Sequence, residues 1–232
     1  MPPLARVLIG TATAGVALLL TSTHPSSLSA QTPASPATRR VDLGMALTAG
    51  RLRGVGRTAT ALPDRPGGVR VSAAEGPGLV WIEGTDFGVG TIELDVRGKD
   101  VLNSSFLGVA FHRVDDRTYE DVYVRPFNFR AADPMRHQHA VQYESMPRYS
   151  WMVLRQQFPE EFENPVDAAV DPNAWLALRL VVGPDRISAF VGAARAPAVE
   201  VRRLSQVNQG NVGLWVGNAS EGDFANLQLT PR

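Results

Sequence analysis

The sequence predicts an all-β domain, an antiparallel β-sandwich or jelly roll, on three observations. From Val69 onward short apolar runs alternate with polar residues at period two, Gly, Pro, Asn or Asp bounds each run, and only one segment breaks into helical spacing. Repeated short strands without intervening helices bury their apolar faces by packing one sheet on another.

Each element follows from its own pattern. GTIELDVRG sets Ile92, Leu94 and Val96 against Glu93, Asp95 and Arg97, and SFLGVAFHR sets Leu107, Val109 and Phe111 against Gly108, Ala110 and His112. In the strand at 118–127, Thr118, Glu120, Val122 and Val124 take one face, and Tyr119, Asp121, Tyr123, Arg125 and Phe127 take the other. WLALRLVV puts Leu176, Leu178, Leu180 and Val182 on one side, and the turn signal Pro184-Asp185 leads into RISAFVG. VGLWVGN and FANLQLT close the chain. The exception is PRYSWMVLRQQF, where Trp151, Leu154 and Phe158 fall at helical spacing and Pro159 ends the run. This predicts one short helix inside a long insertion that reaches to about Asn173.

The N-terminus reads differently. A single basic residue, Arg6, precedes an uncharged apolar run from Val7 to Leu20, and a polar stretch ends in SLSA at Ala30. That order predicts a signal peptide over residues 1–30, a Pro/Ser/Thr/Ala-rich linker over 31–40 and one β-sandwich domain over 41–232. The expected location is secreted or periplasmic. The apolar run is shorter than the roughly 20 residues that span a bilayer, with an uncleaved anchor as the alternative, so no membrane association is expected beyond this segment. The chain has 232 residues, a formal net charge of zero and no cysteine. Zero net charge gives no electrostatic reason to expect nucleic acid as a partner. The lack of cysteine excludes thiol catalysis, Cys-ligated metals and a lipoprotein anchor.

The closing stretch GNVGLWVGNASEGDFANLQLTPR, the strand Phe87–Val96 (FGVGTIELDV) and the unit that Trp175 opens, WLALRLVVGPDRISAFVG, resemble the concanavalin A-like lectin/glucanase jelly rolls. The resemblance covers roughly Val69 to Pro231. It is nearest to the laminin-G-like and 3-keto-disaccharide hydrolase (domain of unknown function 1080) branch of secreted bacterial proteins. The stretch from Asn103 to His112 parallels that branch's N-S-G-x-x-F-R strand, with Ser105 in place of the glycine and His112 in place of the arginine. The resemblance implies a carbohydrate partner.

Candidate site residues centre on DVYVRPFNFR, residues 121–130. If the valines face the core, Tyr123, Arg125 and Phe127 face outward, where aromatic rings stack on sugars and polar groups bond hydroxyls. Asn128 follows at the strand end, and Gly108 and Ala110 would leave room for a ligand. The alternative is a face packed beneath the Trp151 helix, with Arg125 paired to a buried carboxylate such as Asp121. RHQHAVQYE adds Arg136, His137, His139, Gln142 and Tyr143; as a strand it puts His137, His139, Val141 and Tyr143 on one face. His112, His137 and His139 are candidate acid/base groups, and Arg136 a candidate for binding a carboxylate, as on a uronic acid. Glu93 and Asp95, on one strand face about 6–7 Å apart by strand rise, form a candidate carboxylate pair. No metal site or cofactor is expected, since the histidines lack a third ligand in any recognised spacing. Asp223 is the carboxylate best placed for a structural calcium.

Three readings follow. The first is a carbohydrate-binding module that holds a saccharide on the aromatic, Arg and His face, with the Trp151 loop as one wall. The second is a glycoside hydrolase or lyase of the 3-keto-disaccharide type, in which a histidine and a carboxylate meet beside Arg125. The third is a laminin-G-like protein-interaction domain.

Overall fold

A computed structural model describes Pro3, Leu4, Gly10 and residues 37–232; the expected signal peptide and most of the expected linker lie outside the described residues. In chain order the elements begin with β1 (Arg39–Val41), α1 (Leu43–Thr48), β2 (Leu52–Val55), β3 (Ala59–Ala61), β4 (Val69–Val71), β5 (Gly78–Phe87) and β6 (Gly90–Arg97). Next come β7 (Leu107–Phe111), β8 (Tyr119–Val124), a 3-10 turn (Pro126–Asn128), α2 (Pro134–Gln138), β9 (Val141–Met146), α3 (Trp151–Gln157) and β10 (Glu163–Asn164). The chain ends with β11 (Leu176–Val182), β12 (Arg186–Val191), β13 (Val199–Arg202), β14 (Gly210–Val216) and β15 (Gly222–Pro231). The strand β1 starts two residues before Val41, so Arg39 and Arg40 belong to the sheet, not to a linker.

The strands form two antiparallel sheets. One has the order β13-β12-β11-β6-β15-β4-β3, with β1 also on β15; the other has the order β10-β9-β8-β7-β14-β5-β2. Between them lies the main core, which includes Ile92, Leu94, Val96, Leu107, Val109, Val122, Val124 and Leu214. The all-β antiparallel sandwich read from the sequence is the fold observed, with α3 in the long insertion and two further short helices, α1 and α2.

The two sheets differ in what covers their outer faces. Strand β6 alternates buried and half-buried residues along its whole length, as a sheet with one wet face does. Strands β7 and β8 are buried at every position, so both of their faces are covered. Their second face belongs to a smaller apolar cluster of Leu79, Trp81, Ala110, Tyr119, Tyr123 and Trp215. Chain from the 3-10 turn, α2, the α3 region and β10 packs around that face.

Two glycines set its depth. A Cβ on Gly108 would lie 2.1 Å from the Val122 carbonyl oxygen and 2.5 Å from Tyr123 Cα. One on Gly213 would lie 2.5 Å from the Trp81 ring. Gly108 therefore does not open space for a ligand, as its small size suggested. It lets β8 and Tyr123 lie close against β7.

Candidate functional site

The strand β8 is laid out as its alternation predicts. Val122 and Val124 enter the core between the sheets, and Tyr119, Asp121 and Tyr123 point to the outer face. Beyond Val124 the chain leaves the sheet through Arg125 and turns at Pro126–Asn128, which carries Arg125, Phe127 and Asn128 along the same side. A cavity of about 730 Å³ opens there. Its aromatic lining is Phe106, Tyr119, Tyr123, Phe127, Trp151 and Trp215, and its polar lining is Asn128, Glu144, His139 and the arginines 125, 136 and 155. The Tyr123 and Trp215 rings stack at 4.4 Å, and Phe106 meets Phe127 edge-on at 5.1 Å. Trp151 stands at the mouth, 41% exposed, with the Arg155 guanidinium 5.0 Å from its ring centre.

Arg125 is fixed from several sides. Its Nη1 donates to the His139 carbonyl at 2.8 Å, and its Nη2 donates to Tyr123 Oη at 2.8 Å and to Gln142 Oε1 at 3.2 Å. Behind it Glu163 is almost wholly buried and accepts both the Nε and Nη2 of Arg155 at 2.8–3.0 Å. The same carboxylate lies 3.8 Å from Arg125 Nη1 and 3.1 Å from His139 Nε2. Burial lowers the His139 pKa, against the pull of the Glu163 carboxylate beside it. A histidine and a carboxylate thus do meet beside Arg125, but the histidine is His139 alone.

Among the described residues, Glu144 is the one carboxyl lining the cavity. Burial pushes its pKa up to about 7, although the Trp151 amide that donates to Oε1 and the nearby Arg125 and Arg155 work the other way. Opposite it in the β8–β9 register stands Asp121, fully buried, with neither carboxylate oxygen hydrogen-bonded. Burial, and then the charges of Glu144 and Glu120, hold Asp121 well above the ordinary carboxylate range.

Several expected site residues lie elsewhere. Strand β7 ends at Phe111, and His112 takes a left-handed backbone (φ 53°) that breaks the alternation and turns its ring away from the cavity. There His112 Nδ1 lies 2.7 Å from Glu120 Oε1, and Arg203 and Tyr143 Oη donate to the same carboxylate. Tyr143 therefore faces the core with Glu120 and Arg203, and does not line the cavity. Gln142 points the other way but is wholly buried behind Arg125, where it positions the guanidinium. His137 lies on α2 and bonds the Val166 carbonyl at 2.9 Å, so the strand expected over 137–143 begins only at Val141. The reason is local. Asp133 caps α2 by accepting the Met135 amide, and Pro134 occupies the first turn, a start signal for a helix.

Glu93 and Asp95 sit on the outer face of the other sheet. Glu93 lies 4.0 Å from Arg179, while Asp95 accepts from Arg65 and from Asn226 Nδ2, so neither is placed to serve the cavity. Asp223 accepts from both Arg70 and Arg97, which replaces any role as a calcium ligand. Arg125 does not pair with Asp121; its acidic neighbour is Glu163. Glu144, Arg155, Phe106 and Trp215 had not been singled out as site residues. The only signal for Glu144 is a lone carboxylate within VQYESM, a strand with no other charge.

No protein-family profile and no curated protein matches the chain. Solved structures do. The carbohydrate-binding module CBM66 from Bacillus subtilis superposes with a TM-score of 0.55 at 14% identity, over 78% of this chain and 96% of that one. A Bacillus subtilis protein of unknown function with a galectin-like fold gives 0.58 at 10% identity, over 85% and 99%. The kappa-carrageenase of Pseudoalteromonas carrageenovora, solved with a kappa-carrageenan oligosaccharide, gives 0.52 at 12% identity, over 90% and 98%. The chain has the concanavalin A-like jelly-roll fold.

Proposed function

We propose that the protein binds a saccharide in the cavity on the outer face of the β10-to-β2 sheet. The observation that carries this reading is the pairing of stacked aromatic surface with fixed polar donors in one cleft of about 730 Å³. Sugars present apolar C–H faces and rings of hydroxyls, and Tyr123, Trp215 and Trp151 match the first while Arg125, Asn128 and Arg136 match the second. Neighbours of the same fold that are named for carbohydrate binding, or solved with an oligosaccharide, support the reading by analogy. The N-terminal signal pattern fits a protein that meets its saccharide after export. The test is a glycan array followed by calorimetry on the hits. Binding that weakens in Trp151→Ala and Arg125→Ala supports the assignment, and binding that survives both overturns it.

A second reading, glycoside cleavage of the 3-keto-disaccharide hydrolase type, is favoured by Glu144 alone. A carboxyl with a pKa near 7 inside a sugar-sized cleft suits general acid work. No second carboxylate lines the cavity among the described residues to serve as nucleophile or base, so pure binding is the stronger reading. Incubation with 3-keto-glycosides and ordinary oligosaccharides, followed by product analysis, separates the two. Turnover abolished by Glu144→Gln would establish the enzyme, and absence of turnover in both panels would dismiss it.

A further inference from the structure

We propose that the saccharide taken by this cleft carries an acidic group, a carboxylate or a sulfate, which docks at Arg136 beside Arg125. The inference rests on the reading of the cavity as a saccharide site and narrows its ligand class. It starts from charge. The chain as a whole has a formal net charge of zero, yet three arginines and one carboxyl line this cavity. Arg125 and Arg155 share a single carboxylate, Glu163, so that group offsets only one of them. Burial raises Glu144 to about 7 and shifts Asp121 upward as well, so the pair carries less than its full formal negative charge at neutral pH. The cavity therefore keeps an excess of positive charge in a site partly shielded from water.

Arg136 is where that excess is least satisfied. Its Nη2 donates to the Phe127 carbonyl at 3.1 Å and its Nε to Asn128 Oδ1 at 3.4 Å, both neutral acceptors. No carboxylate lies within ion-pair distance of it among the described residues, and Asp133, the nearest acid on its own helix, is occupied in capping α2. A chain of hydrogen bonds links Arg136 to a second guanidinium, that of Arg125. The His139 carbonyl accepts from both Arg125 Nη1 and Asn128 Nδ2, and Asn128 in turn accepts from Arg136. Two like charges linked through Asn128 and the His139 carbonyl, both lining one cleft, form a receptor for an anion. A planar carboxylate or a sulfate can accept from the guanidinium in the fork geometry that arginine favours.

The test uses matched pairs on the intact protein. Oligoglucuronate is compared with its carboxyl-reduced form, and a sulfated galactan oligosaccharide with its desulfated form, by calorimetry at low and at physiological salt. One charge-assisted contact predicts a preference of about 10–100-fold for the acidic member of a pair, weakening with salt. Which pair shows the preference identifies the acid. Arg136→Gln, at a half-exposed site, should remove most of that preference, weakening the acidic member of a pair far more than the neutral one. Equal affinity within both pairs overturns the acidic-ligand inference while the saccharide reading stands. Failure to bind any saccharide, here and on the array, removes the saccharide reading and this inference with it. A preference that persists in Arg136→Gln overturns the assignment to Arg136.

Discussion

Replacing Glu144 by Gln tests both the electrostatics and the chemistry of the cleft. Burial raises the Glu144 pKa from 4.5 to about 7, against the Trp151 amide, Arg125 and Arg155. A carboxyl that holds its proton more tightly when folded supports the fold fully below about pH 4.5, and that support is lost as pH rises toward 7. At 1.36 kcal/mol per unit, the loss on ionisation is on the order of 3 kcal/mol. Gln keeps an oxygen for the Trp151 amide and does not ionise, so the variant should lack this loss. Asp121 moves in the same direction, because removing the neighbouring charge eases its own ionisation. The quantity to follow is the stability difference, variant minus wild type, from urea titrations between pH 4.5 and 8. It should grow by about 3 kcal/mol across that window. In thermal melts this is roughly 6–12 °C, at about 2–4 °C per kcal/mol for a domain of this size. Parallel profiles would refute the account, for they would mean that Glu144 ionises in the folded protein as freely as in water.

Three further substitutions probe the floor, the roof and the buried support of the cleft. Trp151→Ala removes a side chain that is 41% exposed, so stability should change by under about 1 kcal/mol while saccharide affinity falls about tenfold by calorimetry; unchanged affinity would show that the ring only shields α3. Glu163→Ala strips the partner of Arg155 and the acidic neighbour of Arg125 and His139, and should cost about 3–5 kcal/mol in urea unfolding; a loss below about 1 kcal/mol would mean the pairs barely outweigh their desolvation. Gly108→Ala would force a methyl to within 2.1 Å of the Val122 carbonyl, so β7 and β8 must separate, at a cost of about 1–3 kcal/mol read as a lower melting temperature; an unchanged melt would refute the close approach.

What was legible in the sequence was whatever period alone decides. The alternation in 118–127 placed Tyr123 and Arg125 opposite Val122 and Val124, and the helical spacing of Trp151, Leu154 and Phe158 placed α3, because these depend only on neighbours in the chain. His112 was misread because period two holds only while the backbone stays extended, and one residue at φ 53° ends it. His137 was misread because its strand-like spacing was given more weight than the Asp133-Pro134 start signal just before it. Gln142 and Tyr143 were both assigned to the ligand face, although adjacent strand residues point to opposite faces, and the structure sends only Tyr143 into the core. The raised pKa of Glu144 was not legible in the sequence. That shift comes from burial beneath the insertion, with a smaller push from the Glu163 charge, and those contacts exist only once the insertion has folded back over β9.

The sequence posed a choice between a packed face and a ligand face for Tyr123, Arg125 and Phe127, and the structure removes the opposition. All three are buried, yet all three line the same cavity. Burial here is the means of fixing them. Tyr123 is held by the stacked Trp215 and by Arg125, and Arg125 by His139, Gln142 and its own bond to Tyr123. Side chains already immobilised in the free protein lose little further entropy when a ligand arrives, so a modest number of contacts can yield useful affinity. The freedom that remains lies at the mouth, where Trp151, Met152 and Leu102 are exposed. Selectivity for the charged end of a ligand should therefore reside in the rigid floor near Asn128, and tolerance for its length in the exposed rings and side chains of the rim.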